Sequence, residues 1–458
     1  MKTSTVSQHP QPAAAAAKDE YYPGPKSVAL FEEEQKYMTP GLQSIALFSK
    51  IALARGEGSV IEDEDGNSYI DLMAGIGVAS LGYGHPEYAR VMSEQVSRIS
   101  VGSFTSRYRV DFAKRLASIT PKGLTRLQLY SSGAEAVEAA FRLAKSQTKK
   151  FEFIGFWGGC HGKTGGVLGL LGDEFKVGLG PLMPGLYSSP YPNPYRCPLG
   201  TQGEHDCAAH CLDHLRTLIK KTTTGALAGI IVEPIQGTAG NVIPPKGWLQ
   251  GLRQIATESG AMLISDEMIT GFGRTGKWFG CMHDEVVPDI ITIGKGMGGG
   301  FPVSGLVTTD AISQAKPFAN PSGSSSSYGG NPFASAACAT ALRIIQEQDL
   351  VEHARATGEA MMKKLREMQE RFRFIGDVRG RGLMIGVELV ADRKTKALLP
   401  KPICRALFDE GLRRGVLAMS YTPAIRINPP LNTPVDVALD GLGRLEAAME
   451  AVRERFKL

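Results

Sequence analysis

The stretch Asp289-Ile290-Ile291-Thr292-Ile293-Gly294-Lys295-Gly296-Met297-Gly298-Gly299-Gly300 sets one lysine at the end of an apolar run and among glycines. Ile290–Ile293 reads as a short buried strand of an α/β sheet. A lysine at the end of such a strand is partly desolvated, which favours a neutral, nucleophilic amine, whereas most loop lysines are simply solvated. Gly294, Gly296 and Gly299 also spell G-x-G-x-x-G, but the dinucleotide site of that pattern needs a helix to start there and an acidic residue about 20 positions on. Gly300, Pro302 and Gly305 break any such helix. A Walker phosphate loop fails too, because Asp289 stands where glycine is required and no Ser or Thr follows Lys295.

Moving upstream, the apolar run Ala261–Ser265 ends in Asp266-Glu267. A carboxylate at the C-terminal end of a strand in an open α/β sheet faces the crevice where ligands bind, although alone it serves equally as a cap or an ion-pair partner. The glycine-rich turn Gly271-Phe272-Gly273-Arg274-Thr275-Gly276 follows closely and favours the first reading. Further upstream, Ser131-Ser132-Gly133-Ala134-Glu135-Ala136 separates the strand Leu127–Tyr130 from the helix Ala134–Lys145. Small residues there let backbone N–H groups approach an anion at the positive end of the helix. An ordinary N-cap has the same pattern. A lysine, a carboxylate and an anion-binding helix start together make the set that pyridoxal phosphate requires: an amine to join it, a partner for its ring nitrogen and a seat for its phosphate.

The same alternation of apolar runs and amphipathic stretches fills residues 75 to 330. Strands are expected at Phe151–Gly155, Leu227–Val232 and Gly305–Thr309, and helices at Leu249–Ser259 and Pro332–Gln346. A charged amphipathic helix follows over 351–373. The short strands Gly386–Val390 and Ala424–Ile427 then suggest a smaller α+β unit. Residues 1–27 read as a flexible tail, 28–75 as an N-terminal segment joining the smaller domain, 76–330 as the large domain and 331–458 as the small one. Residues 184–211, rich in Pro, Gly and Tyr, read as a long ordered loop.

The chain has 458 residues, of which 43% are hydrophobic and 21% charged, as in ordinary globular proteins. Its net charge of +5 comes from 51 basic and 46 acidic residues spread along the chain, with no basic block of the kind that binds nucleic acid. No apolar stretch is long enough to span a bilayer, and the start lacks the pattern of a secretory signal. Seven scattered cysteines, an odd number, fit a reducing compartment, so a cytoplasmic protein is expected.

From about residue 45 to the C-terminus the chain resembles the class III pyridoxal-phosphate aminotransferases, the group of ornithine, 4-aminobutyrate and ω-amine transaminases. The resemblance is carried by Leu81-Gly82-Tyr83-Gly84-His85-Pro86, Ser132–Ala136, His161-Gly162-Lys163-Thr164 and Glu233-Pro234-Ile235-Gln236-Gly237. It continues through Asp266-Glu267, Gly271–Gly276, Lys295, Tyr328–Pro332, Arg379–Leu383 and Arg426. It implies a fold-type I transferase, with a large domain built on a mostly parallel central sheet and a smaller α+β domain. By position, Lys295 would join the cofactor as an imine and carry the substrate's proton, and Asp266 would pair with the pyridine nitrogen. Ser132, Gly133 and Ala134 would seat the phosphate, aided by Ser327 from a neighbouring subunit, where the family usually has Thr. A homodimer with shared active sites is therefore expected. Met268 would press on the ring, with His161 beside it in a structural role. Glu233 would support the Asp266 side, and Arg426 would grip a substrate carboxylate, for which a guanidinium is well shaped.

Several positions depart from the family. Cys160 replaces a ring-stacking Phe or Tyr, and Trp157 is the nearby candidate to supply that contact. Ile269 stands where many members have Gln, as it does in amine–pyruvate transaminases. Thr238 replaces the Glu that pairs with the carboxylate-binding arginine in ornithine and 4-aminobutyrate enzymes, and also the Asp common in related racemases. Ile76 replaces a Tyr and makes the pocket more apolar. The expected reaction is transfer of an amino group from an amine or amino acid to pyruvate or 2-oxoglutarate by a ping-pong route. A racemase, an amine-phosphate lyase of the same fold and a non-catalytic cofactor-binding module are the alternatives. Cys197, Cys207, His210 and Cys211 do not have a standard zinc spacing, and no metal is expected.

Overall fold

The computed structural model describes residues 22–201 and 203–458. Most of the proposed tail, residues 1–21, lies outside them. Residues 25–27, read with the tail, instead open the helix Pro25–Glu34. The Asp65 carboxylate accepts from Lys26 N at 2.9 Å and from Ser27 N at 2.8 Å, satisfying N–H groups that a helix start leaves open.

Fifteen strands run through the described residues. The first three, β1 (Leu53–Glu57), β2 (Val60–Asp63) and β3 (Ser68–Asp71), form an antiparallel meander. The central strands are β4 (Leu124–Tyr130), β5 (Glu152–Phe156), β6 (Leu186–Ser189), β7 (Leu227–Val232), β8 (Met262–Asp266), β9 (Ile290–Ile293) and β10 (Ser304–Thr309). The last five are β11 (Ile375–Arg381), β12 (Met384–Asp392), β13 (Ala397–Leu398), β14 (Val416–Leu417) and β15 (Ala424–Ile427).

The central seven make one sheet in the order β4-β10-β9-β8-β7-β5-β6. All neighbours are parallel except β10, which runs antiparallel to both β4 and β9. Every residue of β5, β7 and β9 is buried, which is why these strands are continuous apolar runs without alternation. The helix Gly133–Thr148 buries Ala136, Ala139, Ala140, Leu143 and Ala144 and packs against β7, β8, β9 and β10. In the C-terminal part, β12 pairs antiparallel with β11, β13 and β15. One link crosses the chain: β14 adds parallel to β3, so the N-terminal meander and residues 416–417 share a sheet.

The segment 184–211 is not a loop throughout. It contains β6, a short 3₁₀ turn at Pro194–Arg196 and the start of the helix Glu204–Thr222. Cys207, Cys211 and Leu215 form that helix's buried stripe at i, i+4 and i+8. Two of the three apolar positions are cysteines, which behave as small hydrophobes when buried, so the stripe is hidden from a reading that treats them as reactive thiols.

Candidate active site

Parallel strands β8 and β9 bring their carboxyl ends side by side, with Asp266 opposite Thr292. Asp266 closes β8, and Lys295 follows the end of β9 by two residues. A 3₁₀ turn, Lys295–Gly298, follows in place of a helix, which removes the structural requirement of the dinucleotide pattern. Lys295 itself has φ +46°, a left-handed conformation that a non-glycine residue adopts at a cost. Lys295, Asp266, Cys160, Glu233, Met268 and Thr238 line one cleft, so five of the expected site residues meet there and Thr238 joins them.

Asp266 is buried and hydrogen-bonded on both oxygens. Oδ1 accepts from Thr292 Oγ1 at 3.1 Å and from Met268 N at 3.2 Å, and Oδ2 lies 2.7 Å from His161 Nδ1. The His161 ring is fully enclosed, and burial works against its charged form. The hydrogen bond and charge of Asp266, with Glu233 nearby, outweigh that and hold its pKa above the usual histidine value. Glu233 accepts from Cys160 N at 2.8 Å through Oε1 and from Gly237 N at 3.0 Å through Oε2. Burial pushes the Glu233 carboxyl up.

Glu267, the second acid of the pair, does not take part in the cleft. It is buried and accepts from Gly280 N at 2.7 Å, Cys281 N at 2.8 Å and Ser265 Oγ at 3.1 Å, tying the following turn to β8.

Ser132 caps the helix Gly133–Thr148: its hydroxyl accepts from Glu135 N at 3.3 Å, while Glu135 Oε2 accepts from Ser131 N at 3.1 Å. The capping reading therefore holds for its side chain, which leaves the N–H groups of Gly133 and Ala134 in the open first turn. A methyl group at Gly133 would sit 3.3 Å from Met268 Sδ, and one at Gly294 would sit 2.6 Å from the same sulfur. The thioether thus lies between the helix start and the lysine turn, in space that only glycines leave.

Arg426 lies on β15, opposite Gly386. Burial pulls its guanidinium below the usual arginine value, with Tyr421, Cys160 and Glu233 acting against that pull. It makes no ion pair among the described residues. Ile76 is one residue from the cleft wall, since a methyl at Gly77 would touch Ile269 Cγ2 at 3.6 Å. Its φ of +68° is a rare conformation for a β-branched side chain.

Trp157 and Ser327 are not brought to the cleft within this chain. The Trp157 indole is 44% exposed and stands edge-on to His214, with ring centres 6.4 Å apart, so the space left by Cys160 is not filled by it. Ser327 is exposed beside Tyr328. Thr292, which the sequence reading passed over, is the one polar residue inside the otherwise aliphatic β9, and that interruption is the signal that marks it.

The residues present fit pyridoxal phosphate. A buried carboxylate suits a protonated ring nitrogen, an open helix start suits a phosphate, and Lys295 shares the carboxylate's cleft just past the end of β9. Residues 45–449 match the family model of aminotransferase class-III. The chain is 36% identical over 440 residues to an alanine/serine racemase of Pyrococcus horikoshii, covering 93% of this chain and 91% of that protein. It is 37% identical over 349 residues to an acetylornithine aminotransferase of Methanopyrus kandleri, covering 76% and 82%. An ω-transaminase of Pseudomonas jessenii solved in complex with PMP superposes with a TM-score of 0.87 at 25% identity, over 93% of this chain and 98% of that one. With the family model spanning most of its length, this chain belongs to the class III aminotransferases, enzymes that work with pyridoxal phosphate.

Proposed function

We propose that the chain moves an amino group from an amine or amino-acid donor to a 2-oxo acid, pyruvate or 2-oxoglutarate, in two alternating half-reactions. The observation that carries this reading is the meeting of Lys295 and Asp266 at adjacent strand ends in one cleft. Bound pyridoxal phosphate supplies a ring that accepts the electron pair left when a proton departs from the substrate carbon. Lys295 Nζ takes that proton and returns it on the same side of the cleft. Asp266 keeps a proton on the ring nitrogen, and His161 Nδ1–H fixes the carboxylate that does so. The N–H groups of Gly133 and Ala134 would hold the phosphate, and Met268, whose sulfur lies between them and the lysine turn, would exclude water from the cleft. Arg426 binds the substrate carboxylate. With no ion pair among the described residues, the guanidinium is open to a carboxylate in both half-reactions.

The same reading gives a homodimer acting in the cytoplasm, with Ser327 completing the phosphate seat of a second copy. Val96, Ile99, Val101, Phe104 and Tyr328 expose apolar surface on segments joined by the bond from Phe333 N to Ser100 O, as a covered face requires. Seven free thiols suit a reducing compartment. Among the described residues no helix is long and apolar enough to cross a membrane.

A racemase is the second reading, favoured by the Pyrococcus relative. A single-enantiomer amino acid separates the two. Product formation that requires an added oxo acid supports transamination, whereas inversion of the amino acid without one supports racemisation.

A further inference from the structure

Outside the active site, three thiols converge. Cys197 opens the turn closed by Gly200 N to Cys197 O, and its sulfur lies 2.8 Å from Thr201 Oγ1. Cys207 and Cys211 sit one turn apart on the helix Glu204–Thr222, both fully buried. Cys207 and Cys211 belong to one buried cluster, and Cys197 packs against it. All three are free, and no group of three or more metal-ligating side chains is assembled among the described residues.

The three are not equivalent. Cys197 alone is half-buried and reachable. Burial raises its pKa, but hydrogen bonds from Cys207, Thr201 and the backbone of Leu199 and Thr201 outweigh that and leave it lowered. Burial pushes the other two thiols up. A reachable thiol whose anion is favoured, packed beside an enclosed thiol whose anion is not, is the division of labour between an attacking and a resolving cysteine.

We propose that Cys197 and Cys207 form a reversible disulfide when the chain meets a hydroperoxide. The Cys197 thiolate attacks the peroxide, breaking its O–O bond and releasing hydroxide (or the alkoxide) as it becomes a sulfenic acid. The Cys207 thiol then attacks that sulfur and expels water, so the peroxide takes up the two electrons lost by the two thiols. A dithiol reductant reverses the step. The bond would close a strap that touches both parts of the enzyme. Arg196, next to Cys197, ion-pairs with Glu388 of β12, and Lys396 Nζ donates to Tyr195 O at 2.7 Å. Upstream, Tyr191 OH donates to the carbonyl of Glu233, a cleft residue, at 3.1 Å.

Trypsin releases all three thiols in the single peptide Cys197–Arg216. The reduced holoenzyme is treated with equimolar hydrogen peroxide, its remaining thiols are alkylated, and that peptide is mass-analysed and fragmented. The expected peptide carries one alkyl group, on Cys211, and is otherwise about 2 Da lighter than its dithiol form, with the loss reversed by dithiothreitol. The Cys211→Ser variant keeps the loss of about 2 Da and takes up no alkyl group, and Cys197→Ser and Cys207→Ser show no such loss. Full alkylation at all three positions, stable oxygen addition at Cys197, or a bridge from Cys197 to Cys211 would overturn the proposal. Fragmentation of the wild-type peptide alone decides the pairing where a variant does not fold.

Discussion

His161 Nδ1 lies 2.7 Å from Asp266 Oδ2, and both side chains are almost wholly enclosed. The carboxylate on the ring side of the cleft is thus fixed by an imidazole that does not line the cleft. Replacing His161 with Ala removes one buried donor to a charged acceptor, which costs about 1–3 kcal/mol. Affinity for pyridoxal phosphate should fall about 10- to 100-fold in a spectroscopic titration.

The same pair sets a pH dependence. The folded state holds the His161 proton more tightly than the unfolded chain does. Its contribution is therefore fully present below 6.5 and is lost as pH rises through the raised folded value. Urea unfolding across this range should show that slope in the wild type and a flatter one in His161→Ala.

His283 gives the opposite sign. Burial, with Arg381 and Lys277 adding to it, pulls its pKa down to about 4, and Nε2 bonds the Thr275 carbonyl at 3.1 Å. Its contribution is present above 6.5 and is lost as pH falls toward 4. In His283→Gln, acid unfolding in that window should lose about 1–2 kcal/mol less than the wild type, after allowance for solvent screening.

Arg426 is expected to act on binding more than on chemistry. Arg426→Ala should raise KM for the oxo acid about 10- to 100-fold with a smaller change in kcat, because a bidentate contact to a carboxylate is made before the proton moves. Arg426→Lys should recover little of it, since an ammonium cannot present the planar fork. Steady-state kinetics with varied oxo acid checks both.

Gly162 has φ +125°, and a methyl there would lie 2.5 Å from Ala134 Cβ and 2.8 Å from Ala134 Cα. Gly162→Ala must displace the helix start at the phosphate seat. Cofactor affinity should drop at least 10-fold, about 1.4 kcal/mol, by the same titration.

Legibility followed burial on both faces. Ile290–Ile293 and Leu227–Val232 have the bounds expected from their apolar runs, because every residue in them is buried and the run stops where the sheet stops. The expected strand Ala261–Ser265 lies one residue further on, so Asp266 belongs to β8 itself. The meander β1–β3 escaped because β1 is mostly exposed and shows no alternation to read. At the site, residues held by their own strand ends, such as Lys295 and Asp266, were legible from local pattern. Trp157 was not, because its direction depends on a packing partner, His214, that lies 57 positions away in sequence.

The most direct test is the visible spectrum of the purified holoenzyme during a half-reaction, run with wild type and Lys295→Ala. In the wild type, an amine donor without oxo acid should bleach the band of the lysine-bound cofactor, and one oxo acid should restore it. Lys295→Ala should lack that band and turn over at least about 10³-fold more slowly. A wild-type band that no donor bleaches, or undiminished turnover in Lys295→Ala, would contradict the account.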